Sequence, residues 1–267
     1  MLRFLSPCLH QCRLFFIALQ FFTRVPIPRG VGFEPDWLHH ASRYFPLVGI
    51  VVATLTSAVY LLAAWLWPAP VAVVLATISG IYLTGAFHED GFADMCDGFG
   101  GGLTRERVLD IMKDSRIGAY GAIGIGCLLA LKCVVLSLLP PGAVIAALFV
   151  AHPLSRLAST TLIWKLEYAR AEGKAKPLAQ DMSTVELAIA GATASLPALI
   201  LGLNGYLAWS SILGGVLAAA VATVWLSRMF VRRLGGFTGD CLGGVQQVTE
   251  VVFYLSALAS LRHGAWH

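Results

Sequence analysis

Seven apolar stretches, at about residues 44–67, 71–87, 117–139, 142–164, 185–203, 206–230 and 248–261, set the fold class of this chain. Most are near the roughly 20 residues that a helix needs to cross a hydrocarbon core about 30 Å thick; the second and seventh are short. A lipid core offers no water to an unpaired backbone amide or carbonyl, so apolar stretches of this kind are expected to be helices. The links Pro68-Ala69-Pro70, Pro140-Pro141-Gly142 and Asn204-Gly205 are tight and uncharged. Proline and glycine there end one helix and turn the chain directly into the next. Only 13% of the 267 residues are charged, against about a quarter in soluble domains. The expectation is a single all-α polytopic membrane domain spanning residues 1–267, with about seven transmembrane helices. Residues 14–22 add an N-terminal apolar run preceded by Arg3 and Arg13. It has no small-x-small cleavage site and ends in Thr23-Arg24-Val25-Pro26, so it reads as an interfacial or re-entrant helix rather than a signal peptide.

The charges set an orientation. With the N-terminus in the cytoplasm, sixteen of the nineteen Lys and Arg residues fall on the cytoplasmic side. The exceptions are Lys132 and Arg156, inside spans, and Arg262 near the C-terminus. The three tight turns on the far side carry no cation, as the positive-inside rule requires. This orientation accounts for the net charge of +4 without a nucleic-acid partner. Three cytoplasmic loops therefore face one another across one membrane surface. The six cysteines show no Cys-x-x-Cys pair and no zinc spacing with histidine, and read as small apolar packers. Arg156, with His152 nearby, is either a functional intramembrane charge or a snorkelling one, and Lys132 either snorkels or pairs.

The first of those loops carries His88-Glu89-Asp90-Gly91-Phe92-Ala93-Asp94-Met95-Cys96-Asp97-Gly98. Asp90, Asp94 and Asp97 are spaced i, i+4, i+7, which on a helix places them within roughly 60° of one another. Like charges so close repel, and a divalent cation relieves that repulsion. An all-oxygen donor set selects a hard ion, Mg²⁺ or Mn²⁺, with Glu89 and Asp114 as second-tier ligands. A solvated acidic loop is the plainer alternative, but apolar Phe92, Ala93, Met95 and Phe99 are interleaved with the acids. Gly91 and Gly98 are expected to leave backbone open to a phosphate. Arg105, Lys113 and Arg116 follow and suit a polyanionic substrate. A third patch, Arg232-Arg233-Leu234-Gly235-Gly236-Phe237-Thr238-Gly239-Asp240-Cys241-Leu242-Gly243-Gly244, offers backbone amides, Arg232, Gly239 and Asp240 to a phosphate. Glycine pairs also arise simply where helices pack closely. No Walker A or dinucleotide fingerprint is present in the sequence.

Five ordered segments carry a resemblance. They are Ala18-Leu19-Gln20-Phe21-Phe22-Thr23-Arg24-Val25-Pro26, Tyr44-Phe45-Pro46-Leu47-Val48-Gly49, the acidic segment with Gly85-Ala86-Phe87 before it, Met112-Lys113-Asp114-Ser115-Arg116-Ile117-Gly118, and Gly235-Gly236-Phe237-Thr238-Gly239-Asp240-Cys241-Leu242-Gly243. Over nearly its whole length the chain resembles the cobalamin synthase family, the adenosylcobinamide-GDP ribazoletransferases. The resemblance implies a Mg²⁺-dependent transferase of the bacterial inner membrane, late in cobamide synthesis. Such an enzyme joins adenosylcobinamide-GDP to α-ribazole or its 5′-phosphate and releases GMP. Asp90, Asp94 and Asp97 are then expected to hold one or two Mg²⁺ ions on the pyrophosphate. Asp97, or alternatively His88, takes the proton of the attacking hydroxyl. Lys113, Arg116 and Arg105 hold phosphates, while loop 235–244 covers nucleotide or corrinoid. Met95-Cys96 departs from the Thr-Ala or Thr-Trp frequent in that family, at positions unsuited to metal ligation.

Two rival readings remain in the sequence. A CDP-alcohol phosphatidyltransferase shares the Asp-Gly start of an Asp-Gly-x-x-Ala-Arg opening, but this chain departs from that opening at Asp94. A metal or solute transporter requires acids at mid-span or broken helices in matching halves.

Overall fold

Proline and glycine fix where the helices of this chain begin and turn. Pro46, Pro70 and Pro141 occupy the first turns of three helices, where a fixed φ and a missing N–H do no harm. Thr104 caps another by accepting from the Arg107 amide, and Ser183 forms a capping box with Glu186. The protein, a computed structural model, is described over residues 2–32, 34, 37–170 and 182–264. Lys174 and Lys176, expected on the cytoplasmic side, lie outside the described residues.

The described residues form helices α1 (Leu2–Phe22), α2 (Trp37–Ala41), α3 (Phe45–Leu66), α4 (Ala69–Thr84), α5 (Phe87–Gly101) and α6 (Arg105–Ile111). They continue with α7 (Ala119–Ser137), α8 (Pro141–Lys165), α9 (Thr184–Leu203), α10 (Trp209–Leu234) and α11 (Gly239–Gly264). A 3-10 turn, Ser42–Tyr44, joins α2 to α3. Among the described residues there is no strand, only one isolated bridge between Tyr168 and Phe237. The chain is an all-α polytopic membrane protein.

The spans differ from expectation in two places. Five helical segments are individually long and apolar enough to cross a membrane: Trp37–Leu66, α7, α8, α9 and α10. The stretch expected over residues 71–87 stops at Thr84, because Gly85 and Ala86 both adopt left-handed backbone (φ 65° and 58°). There the chain bends by 89° into α5, so the acidic segment turns away from the α4 axis. The stretch expected over residues 248–261 is the later part of α11, which starts at Gly239. This helix falls short of a lipid-facing span because it buries Gln246, Gln247, Thr249 and Glu250. It is the central helix of the bundle, packed mainly on α10, α5 and α8.

Around α11 the bundle holds a polar interior. Lys132 of α7 pairs with Glu250, which also accepts from Gln246 Nε2 at 2.6 Å and from the Tyr254 hydroxyl at 3.1 Å. Arg156 donates Nη1 to the His152 carbonyl at 3.0 Å. At 2% and 6% exposure, Arg156 and Lys132 do not snorkel; both charges face inward. Apolar clusters lie on either side, one centred on Phe45, Phe230 and Phe237, the other on Tyr60, Phe253 and Tyr254. Since lipid is as apolar as these side chains, their close packing, more than expulsion from water, holds the helices together.

Candidate active site

A cavity of about 930 Å³ opens between α5, α6, the segment after α8 and the first turn of α11. Asp90 and Asp94, one turn apart on α5, line it together with Asp240 of α11. The two helices meet this closely because of a glycine: a Cβ on Gly91 would lie 3.2 Å from Asp240 Cα and 3.4 Å from Gly243 Cα. Gly91 thus joins the two helices, and it also lines the cavity. Gly98 is likewise filled against α6, its hypothetical Cβ 2.6 Å from Met112 Cγ.

Charge is crowded at Asp94. Burial, reinforced by the carboxylates of Asp240, Asp90 and Asp97, lifts its carboxyl to about 7. Burial also raises Asp240, against the pull of Arg170. Arg170 Nη2 lies 2.9 Å from Asp240 Oδ2, and the Thr238 hydroxyl donates to that oxygen at 3.3 Å.

The other expected residues distribute as follows. Lys113, Asp114 and Arg105 line the cavity. Arg105 is anchored by Nε to the Leu234 carbonyl at 2.8 Å and by Nη2 to the Ala169 carbonyl at 3.0 Å. Asp114 is gripped by Arg116 through two guanidinium contacts of 3.0 and 2.7 Å, which hold its carboxyl down to about 2. Gly239 borders the cavity beside Asp240.

Four residues sit elsewhere. Asp97 is buried, and its two oxygens accept from the amides of Gly118 (2.7 Å) and Gly121 (2.8 Å) at the start of α7. It lies about 10 Å along α5 from Asp90 at 1.5 Å per residue, where the unpaired N–H groups of a helix N-terminus attract a carboxylate. Glu89 is rotated about 100° from Asp90 and accepts from Gln247 Nε2 at 2.8 Å inside the bundle. His88 also faces inward, stacked on Phe22 with centroids 5.3 Å apart. Arg232 lines a separate groove on α10.

A family model for cobalamin-5-phosphate synthase matches residues 14–259. The chain belongs to this family. Three proteins named adenosylcobinamide-GDP ribazoletransferase are similar to it over nearly full length. The one from Leptothrix cholodnii is 45% identical over 98% of this chain and 99% of its own. That from Ralstonia nicotianae is 47% identical over 93% and 95%, and that from Shewanella frigidimarina 44% over 94% and 96%. No solved structure gives a significant match.

Within this chain, the sequence reading missed Arg170 and Tyr168 as site residues. Both reach the cavity because residues 167–169 pair with the loop before α11: the Phe237 amide donates to the Glu167 carbonyl (3.0 Å) and the Ala169 amide to the Phe237 carbonyl (2.8 Å). The available signal was charge alone, a cation in a loop facing Asp240. As to a metal, no three His, Cys, Asp or Glu side chains among the described residues are already arranged to hold one. Asp90, Asp94 and Asp240 nevertheless form an all-oxygen, mutually repelling donor set. Such a set fits a hard divalent ion.

Proposed function

We propose that this chain is an adenosylcobinamide-GDP ribazoletransferase of a bacterial inner membrane, with its cavity on the cytoplasmic side. It joins adenosylcobinamide-GDP to α-ribazole, or to its 5′-phosphate, and releases GMP. The observation that carries this reading is one cavity pairing Asp90, Asp94 and Asp240 with Arg105, Lys113 and Arg170, in a chain whose relatives bear that name.

In this reaction a ribose hydroxyl other than the 5′, free in both α-ribazole and its 5′-phosphate, attacks the phosphorus attached to the cobinamide aminopropanol. One P–O bond forms, the phosphoanhydride bond to GMP breaks, and the attacking hydroxyl loses its proton. Such transfers depend mainly on positioning and charge neutralisation. Lys113 and Arg105 hold phosphate oxygens, while Arg170 keeps Asp240 turned into the cavity. Asp90, Asp94 and Asp240 are the residues that would hold Mg²⁺. When bound, the ion neutralises pyrophosphate charge. With Asp97 engaged by α7 and His88 facing the interior, the hydroxyl proton passes to a cavity carboxylate.

The test is an assay of membranes carrying the chain, with adenosylcobinamide-GDP and α-ribazole, following GMP and corrinoid product by chromatography. Equal amounts of both are expected, abolished by a chelator and restored by Mg²⁺. No GMP above that of empty membranes, from verified inserted protein, overturns the assignment. Turnover that withstands the chelator removes the metal from it.

A further inference from the structure

Arg232, which stands outside the cavity, belongs to a different feature. Along the outward face of α10, Leu213, Leu217, Val221 and Trp225 are each between 61% and 66% exposed. After this spacing of four, a step of three reaches Arg228 and a step of four reaches Arg232, so one stripe runs from apolar to cationic toward the helix end that leads into the cavity loop. Arg228, Arg232 and Trp225 line a groove of about 670 Å³ with Val221, Val224 and Met229. Arg228 and Arg232 are exposed, and among the described residues neither forms an ion pair. The neighbouring Arg233 is already used: its Nη2 donates to the Gly102 carbonyl at 2.6 Å, and it lies over the Phe99 ring.

The geometry points to a binding site for one anionic phospholipid, its phosphate between Arg228 and Arg232 and an acyl chain along Trp225 and Val221. A lone arginine at a span end merely flanks the bilayer. Two unpaired guanidinium groups one turn apart, above an apolar groove on the same face, have the polarity and charge order of a lipid molecule. A guanidinium pair also matches a phosphodiester better than ammonium groups do. A soluble phosphate would take the cations and leave the Trp225 stripe without an occupant. The inference stands independently of the reaction proposed above.

The test compares purified protein in nanodiscs of phosphatidylcholine alone and with phosphatidylglycerol, counting retained lipids by native mass spectrometry. Wild type is expected to retain one phosphatidylglycerol in preference to phosphatidylcholine, and inorganic phosphate does not displace it. Arg228→Gln with Arg232→Gln is expected to weaken that preference by about thirty-fold, the scale of two cations at an anionic surface. Trp225→Ala weakens retention of both lipids without changing the preference. The double variant is used only where its elution and circular dichroism match wild type. An unchanged preference in that variant overturns the site, as does displacement by inorganic phosphate. Recovery of a second copy of the chain sealed over this face overturns it as well. So does a double variant that keeps the lipid but loses GMP release, since that returns Arg232 to the substrate.

Discussion

Arg170 and Asp240, seventy residues apart, meet at 2.9 Å and tie the segment after α8 to the first turn of α11. The pair is about one-fifth exposed on each side, so solvent only partly screens it. Removing the cation leaves Asp240 among Asp90 and Asp94 with only the Thr238 hydroxyl to offset burial. Arg170→Ala is expected to lower kcat/KM for GMP release by about one to two orders of magnitude, the scale of one charge-assisted contact. The acidic limb of the pH profile should also move to higher pH, because Asp240 then gives up its proton less readily. A rate loss with an unmoved limb would mean that Arg170 serves the fold only.

Asp94 is expected to set the pH dependence of the unmodified enzyme. Its carboxyl sits near 7, so protons and a divalent ion compete for it around neutrality. Activity is expected to fall as pH drops through about 7 at low Mg²⁺, and raising Mg²⁺ should shift that limb to lower pH. Asp94→Asn should lose GMP release at every Mg²⁺ concentration. A limb indifferent to Mg²⁺ would take Asp94 out of the donor set.

Asp97 separates a structural carboxylate from a catalytic one. Its amide contacts to Gly118 and Gly121 make it a cap for α7 supplied by another helix. Asp97→Ala is expected to cost about 1–2 kcal/mol, as loss of a helix cap does, read as earlier thermal unfolding in detergent. The Mg²⁺ concentration giving half-maximal residual activity should stay at the wild-type value. A large rise in that concentration would restore Asp97 to the metal site.

These placements show which parts of the molecule are legible in the sequence. Periodicity alone groups Asp90 with Asp94, since four residues nearly complete a turn. It cannot place Asp97, whose lone pairs are claimed by a helix start that is adjacent only in the folded bundle. Glu89 and His88 fall to the interior by the same periodicity, 100° per residue, that groups the aspartates, so that separation was readable. The pairing of 167–169 with the loop before α11 leaves no local mark, and Arg170 was therefore visible only as a loop cation. Hydropathy finds the five apolar spans but misses the role of α11, whose Gln246, Gln247 and Glu250 are buried against other helices and never meet lipid. The bend after Thr84 needs Ala86 as well as Gly85 in left-handed backbone, a conformation that alanine does not announce.

The interior of the bundle makes the last prediction. Lys132 and Glu250 are both buried and pair with each other. Among the described residues the carboxylate has further polar partners, Gln246, Tyr254 and His152. Lys132→Met leaves that carboxylate without its nearest cation, at an expected cost of about 3–5 kcal/mol. Glu250→Gln strands the ammonium group instead, with a similar loss. The double variant removes both charges together and should be more stable than either single one, because no buried ion is left unpaired. A thermodynamic cycle from unfolding of all four proteins in mixed micelles should give a coupling of more than about 3 kcal/mol, since the double variant loses less than either single one. Additive losses would mean that the surrounding hydrogen bonds, and not the pair itself, hold the two charges in place.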